Sequence, residues 1–369
     1  MMSTKLRWTW AVLGTAGLIG CAGGTEKPKQ AATPRPSDAQ AAAGAKTPEP
    51  NKPLSTVEVL NLREQALAAL EKEFQNGAGQ ARANAVEAAQ WAPARLGGLV
   101  EKGLNDRMPG VRAVAAMTVG RAPIPALAGE AGVLLQDPTP HVRASAIFAL
   151  AKLGHDVDQS PLANMLLEDR SPWVRRHAAF ILGELGNKSA LPLLRTAARS
   201  TIPTATTEQV KDFHLQVAES MIKLGDDSAR EAVRAALYPS RPEELESAAF
   251  AVQIIGEVKD RASMSQLASL ADYKDREGRL YPAEVRIGIA GAMARLGSND
   301  GLRIAEEFRE SPTGALRGQA AWVFGEIGGD ASLRALGPML ADRDENVRVA
   351  AAAAILRATS GTAPGRRPE

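Results

Sequence analysis

The side chains able to do chemistry are few and scattered. The chain has one cysteine, Cys21, and four histidines, His141, His155, His177 and His214. No two histidines stand four apart, as a metal-binding helix face would need, and no glycine-rich phosphate loop or serine nucleophile elbow is present. No metal, cofactor or catalytic residue is therefore expected. Lys and Arg number 44 against 42 Asp and Glu, and Lys5 and Arg7 near the start account for the excess. A body so balanced lacks the uniform positive charge that a nucleic-acid backbone calls for. What is regular is polar but not catalytic: aspartates and arginines recurring in step.

That recurrence is clearest around Ser171–Gly186, SPWVRRHAAFILGELG. Ser171 suits an N-cap, Pro172 suits the first helical position, and Gly186 suits a left-handed residue after the last turn. Val174, Ala178, Ile181, Leu182 and Leu185 form an apolar stripe at helical spacing. With Val174 as marker, the equivalent positions are Ala81, Val111, Val142, Phe213, Glu244, Val285, Leu316 and Val347. Successive spacings are 30, 31, 32, 39, 31, 41, 31 and 31 residues. Asp precedes the marker by five at Asp106, Asp137, Asp169 and Asp342, and Arg follows it at Arg112, Arg143, Arg175 and Arg348, among others. A unit of this length holds two short helices and cannot bury its own apolar face. Neighbours must stack, which predicts an all-α solenoid of about nine two-helix repeats over residues 79–359.

The pattern Asp-x-x-x-x-Val-Arg-x-x-Ala-Ala followed by Leu-Gly resembles HEAT repeats, particularly the short type found in phycobilisome lyases. The resemblance implies that Asp106, Asp137, Asp169 and Asp342 with Arg112, Arg143, Arg175 and Arg348 form a structural ladder fixing the stacking. It also implies that the second helix of each pair lines the concave surface. HEAT-repeat hydroxylases bind iron through His-Glu pairs, and this chain has no His-Glu dipeptide. The units marked by Phe213 and Glu244 depart from the pattern, carrying His214 and Leu245 after the marker. Their spacings imply insertions of about eight and ten residues near 200–208 and 273–282.

Six residues after the marker, nearly opposite the apolar stripe, stand Met117, Phe148, Phe180, Phe250 and Trp322. On a concave face these would form an aromatic groove suited to a protein or peptide partner. In a tightly curved stack the same side chains would serve as packing between repeats. Ten residues after the marker come Arg121, Lys152, Glu184, Lys223, Ile254, Arg295, Glu326 and Arg357, a rim of mixed sign.

Ahead of the repeats, Lys5 and Arg7 precede an apolar run, Trp8 to Ile19, too short to span a bilayer but suited to a signal peptide. Leu18-Ile19-Gly20-Cys21 resembles the lipobox of bacterial lipoproteins. This implies a signal peptide over 1–20, lipidation of Cys21, and export to the cell envelope. Ala22 after the cysteine points to the periplasmic face of the outer membrane if the cell is Gram-negative. Residues 21–54, rich in Pro and Ala, read as a lipidated tether, and 360–369 as a disordered tail. Ser55-Thr56-Val57-Glu58 fits a capping box opening a helix over 55–78 that would cover the solenoid's free end. Together these predict a membrane-anchored, non-catalytic scaffold that binds a protein or peptide on its concave face. The alternatives are a lyase or hydroxylase of the HEAT-like kind and a purely structural envelope protein.

Overall fold

The structure is a computed structural model and describes residues 52–360. The expected leader, Cys21, the tether through residue 51 and the tail from 361 lie outside the described residues. Eighteen α-helices run in alternation, and the only β pairing among the described residues is one antiparallel bridge between Lys274 and Leu280. The marker helices are α2 (Gly79–Ala88), α4 (Pro109–Arg121), α6 (Pro140–Lys152), α8 (Pro172–Leu185), α10 (Thr207–Lys223), α12 (Leu245–Glu257), α14 (Ala283–Arg295), α16 (Gly314–Ile327) and α18 (Glu345–Thr359). Their partners are α1 (Thr56–Asn76), α3 (Pro93–Leu104), α5 (Ala128–Val133), α7 (Ser160–Leu167), α9 (Leu191–Ala197), α11 (Arg230–Ala235), α13 (Met264–Ala271), α15 (Leu302–Phe308) and α17 (Gly329–Met339).

Local chemistry sets the start of α8, though not through the N-cap side chain. Ser171 has extended backbone at the N-cap of α8 but makes no side-chain cap bond. Instead the Asp169 carboxylate accepts the Ser171 N–H at 2.8 Å. Asp106, Asp137 and Asp342 do the same for Met108, Thr139 and Asp344, each at 2.8 Å. Each aspartate thus fixes the turn that aims the next helix. At the other end Gly186 is left-handed, with φ +78°.

The arginine after the marker joins consecutive turns. Its guanidinium donates to the carbonyl six residues back, as in Arg112 to Asp106 O, Arg143 to Asp137 O, Arg175 to Asp169 O and Arg348 to Asp342 O. It also reaches the carboxylate of the following unit. Arg82 pairs with Asp106, Arg112 with Asp137 and Arg317 with Asp342, at 2.8, 2.8 and 2.7 Å.

The stack does not end; it closes. Each marker helix packs on the next from α2 through α18, and α18 packs back on α2. Helix α1 opens with the capping box, Ser55 and Glu58 satisfying one another's first-turn N–H groups. It covers no free end. Its buried Leu67, Leu70 and Phe74 fill the seam between α2 and α18, while Val57 and Leu60 stay exposed. Arg348 completes the ladder across this seam: with no following unit, it pairs at 2.7 Å with Glu73 of α1, which is almost fully buried. Arg63 donates to Thr359 Oγ1, and Asp330 and Glu345 accept the backbone N–H groups of Leu54 and Ala78. The result is a ring of nine inner and nine outer helices among the described residues.

Small residues make the curvature possible. A Cβ on Gly325 would lie 2.8 Å from Ala354 Cα, on Gly183 2.9 Å from Ser220 Cα, and on Gly256 3.0 Å from Ala292 Cα. These contacts draw neighbouring inner helices together near their C-terminal ends, where only glycine fits.

Candidate functional site

The nine inner helices each turn one stripe towards the ring axis, at positions −1, +3, +6 and +10 from the marker. One register must be corrected first. Six inner helices begin two residues before their marker, as α8 does, but α12 begins one after Glu244. Its left-handed residue is Lys259 rather than Gly256, and its close-approach glycine is Gly256. All three observations agree if Ser247 is the marker. Gly256 stands where the periodicity predicts a glycine of chain reversal, but it is one of close contact. Phe250 therefore belongs at +3, Glu257 replaces Ile254 at +10, and Ile254 lies in the core.

The open groove expected at Met117, Phe148, Phe180, Phe250 and Trp322 is not formed. Met117, Phe148 and Phe180 are buried, and Phe250 and Trp322 half-buried. Closure of the ring brings the walls together, and cations roof the rings. Arg121 and Lys223 each lie 5.7 Å from the Phe180 centroid, Arg295 lies 4.8 Å from Trp322, and Arg176 lies 4.2 Å from Phe250. Gly291 leaves room for the Trp322 ring, which a Cβ there would strike. The row is packing within the ring, the second of the two uses its position allowed.

Above it the +10 residues form a belt of alternating charge. Glu184 accepts from Arg121 at 3.0 Å and Lys223 at 2.7 Å, and Lys223 also faces Glu219 and Glu257. Arg295 bridges Glu257 and Glu326, and Arg357 pairs with Glu326 from the other side. Arg357 then stacks 5.0 Å from the Trp91 ring, and Arg121 reaches Glu87 at 3.4 Å. Burial alone would raise the carboxyls of Glu184 and Glu257, but Lys223 and Arg121 hold the first below its ordinary value, and Arg295 and Lys223 the second. Burial opposes the Lys223 charge, and the glutamates around it raise that ammonium nonetheless. Trp91 and Glu257 are the members that sequence reasoning missed. Trp91 stands ten residues after Ala81, a signal that was available.

At the opposite end of the axis the stripe is polar, with one ion pair, Arg176 facing Asp212 at 3.8 Å, beside a pair of histidines. His177 is buried, its Nε2 3.1 Å from Ser145 Oγ and 3.2 Å from the His141 carbonyl. A carbonyl can only accept, so Nε2 carries the hydrogen and Nδ1 is bare, with no partner. Burial, and then the neighbouring His141, push the His177 imidazole well below its ordinary value, and burial lowers His141 too. His214 bonds the Ser200 carbonyl, and His155 is exposed. Among the described residues no three His, Cys, Asp or Glu gather as a metal would require.

Two openings remain. A cavity of about 460 Å³ lies over the belt, lined by Trp91, Arg121, Arg295 and Arg357 and by the turn after α12. On the outer edge, the insertion at 273–282 folds as a short hairpin closed by Asp275 and Arg279, with Gly278 left-handed at its tip. It gathers all three tyrosines of the chain. Tyr281 donates to Leu237 O at 3.2 Å and meets Tyr273 edge-on at 6.2 Å. Burial, and then the Tyr238 and Tyr273 phenols, raise Tyr281. Tyr238 and Tyr273 are 55% and 51% exposed. The other insertion is tied down instead: Ile202 is buried, Thr204 bonds the Arg170 carbonyl, and Thr206 opens α10 with a capping box.

Residues 159–251 match the family described as HEAT repeats. No curated protein matches the sequence. Among solved structures, human deoxyhypusine hydroxylase is 18% identical, with 70% of this chain and 97% of that one covered and a TM-score of 0.33. The CpcE–CpcF complex of phycocyanin lyase from Nostoc is 19% identical over 68% and 91%, with a TM-score of 0.34. A designed armadillo repeat protein in complex with a (KR)4 peptide is 17% identical over 62% and 98%, with a TM-score of 0.33.

Proposed function

We propose that the chain is a lipid-anchored, non-catalytic HEAT-repeat scaffold whose protein partner docks on the tyrosine-bearing edge, outside the ring. The observation that carries this reading is the gathering of Tyr238, Tyr273 and Tyr281 on a braced insertion, two of them half exposed. Tyrosine offers a large, stiff surface with a polar tip, and ordering it on binding costs little. The concave row, being buried, is not the docking surface. The lipobox-like Leu18-Ile19-Gly20-Cys21 supports anchoring, with the tether setting the reach from the bilayer.

Crosslinking in the native cell, with a photoreactive residue at position 276, tests both parts. The wild type should give a discrete adduct, and Tyr238→Ala with Tyr273→Ala should abolish it while leaving the melting temperature within a few degrees. The Cys21→Ala chain should move from the membrane to the soluble fraction. An adduct that survives the double change removes the docking surface, and unchanged membrane retention removes the anchor.

A further inference from the structure

The turn after α12 departs from those after α6, α8, α10, α14 and α16. The left-handed residue that ends an inner helix is Gly154, Gly186, Gly225, Gly297 or Gly328 in those turns; after α12 it is Lys259, with φ +51°. It is the only non-glycine residue with positive φ among the described residues. A side chain there is strained where glycine is not. No packing explains it, because Lys259 is exposed. What its position does supply is an ammonium in the wall of the axial cavity, two residues from Arg261, which lines the same cavity. Among the described residues neither side chain is tied into an ion pair.

Below them the lining charges balance, three arginines against three glutamates, so the two wall cations are the excess. The three carboxylates lining the cavity, Glu184, Glu257 and Glu326, each already face two cations of the belt. Five cations line it: Lys259 and Arg261 on the wall, and Arg121, Arg295 and Arg357 at the floor. Arg357 Nε has no acceptor. The volume lies in the range of small-molecule sites, about 300–1,000 Å³. We infer that the axial cavity binds a compact polyanion, a small molecule with two or more carboxylate or phosphate groups. Lys259 and Arg261, the two lining cations outside the belt's ion pairs, contact it.

Calorimetric titration of the purified full-length chain with citrate, and separately with inorganic pyrophosphate, tests this. At least one probe should bind saturably at one site per chain at low salt. Lys259→Gly and Arg261→Gln should each weaken it about tenfold, the loss of one charge-assisted contact. Lys259→Gly should melt at the same temperature or higher, since it gives the turn the residue its backbone prefers. Failure of both probes to saturate overturns the site, as does unchanged affinity in a folded Arg261→Gln chain. Equal weakening by Lys72→Gln on exposed α1 would mark general charge attraction and also overturn it.

Discussion

The two ends of the ring axis are built from the same helices, yet they handle polarity differently. At the C-terminal ends every buried carboxylate of the belt sits between cations contributed by neighbouring helices. At the N-terminal ends His177 is buried and His141 half-buried, burial lowers both imidazoles, and the charges are one pair, Arg176 and Asp212, at 3.8 Å. One end is held by a run of paired charges that demands an intact ring. The other sets histidines, whose ionisation the fold resists, beside a single ion pair. The difference lies in length as much as in type: Arg121 of α4 reaches past α6 to Glu184 of α8, whereas His177 of α8 reaches only the adjacent α6.

Removing one member of the belt should have the largest effect. Glu326 has no exposed side chain and lies between Arg295 and Arg357. Glu326→Ala would leave two guanidiniums facing one another, little exposed, at the floor of the axial cavity. Breaking a buried network from one side costs about 3–5 kcal/mol. Urea unfolding should show that loss, and replacing Arg357 with Met in the same chain should recover part of it. A loss below about 1 kcal/mol, the range of exposed pairs, would mean that water enters the belt freely and that the two ends do not differ as described.

Much of this was legible beforehand, and the failures have physical causes. The 31-residue spacing and the Val-Arg register led to all nine inner helices, because caps, apolar stripe and ladder point the same way. The Asp–Arg ladder joins some neighbouring repeats, running from Arg82, Arg112 and Arg317 to the next unit's aspartate, while Arg143 and Arg175 reach only carbonyls. Closure was not legible. It depends on small rotations summed over nine units, and its visible mark, Glu73 standing in for a missing aspartate, lies in a helix outside the repeat. With closure unseen, an inward aromatic row read equally well as groove or packing. The three-residue slip at α12 came from a unit without either polar marker, where one glycine was left to set the register.

The seam offers a weaker break in the same contrast, since the ladder there depends on one borrowed partner. Arg348→Ala would orphan Glu73, whose side chain is 4% exposed, and should cost about 1.5–3 kcal/mol, as loss of a hydrogen bond to a charged group does. The damage should be local: hydrogen exchange in α1 and the start of α2 should quicken while α8 stays protected. Removing the exposed Arg95–Glu64 pair on the outside should leave that exchange pattern unchanged. Uniform quickening around the ring after Arg348→Ala would show that it opens as one unit and that the seam has no independent weakness.

The mildest test uses pH, because the two ends answer to different ranges. The folded His177 imidazole lies well below the ordinary value of about 6.5. As pH falls through that value the unfolded chain takes up a proton that the folded chain refuses. Stability should therefore decline with acid by up to about 1.4 kcal/mol per pH unit for each such histidine. Glu184 and Glu257 are shifted down in the fold, so their contribution is intact above the ordinary carboxylate value and is lost only as pH falls below about 4.5. Between pH 6.5 and 5 the histidine end alone should weaken. Denaturant unfolding of the wild type and of His177→Gln across that window measures it directly: the substituted chain should start less stable at pH 7.5 but show a flatter slope. Parallel slopes would mean that His177 takes up its proton in place, and that the histidine end of the axis is open to water.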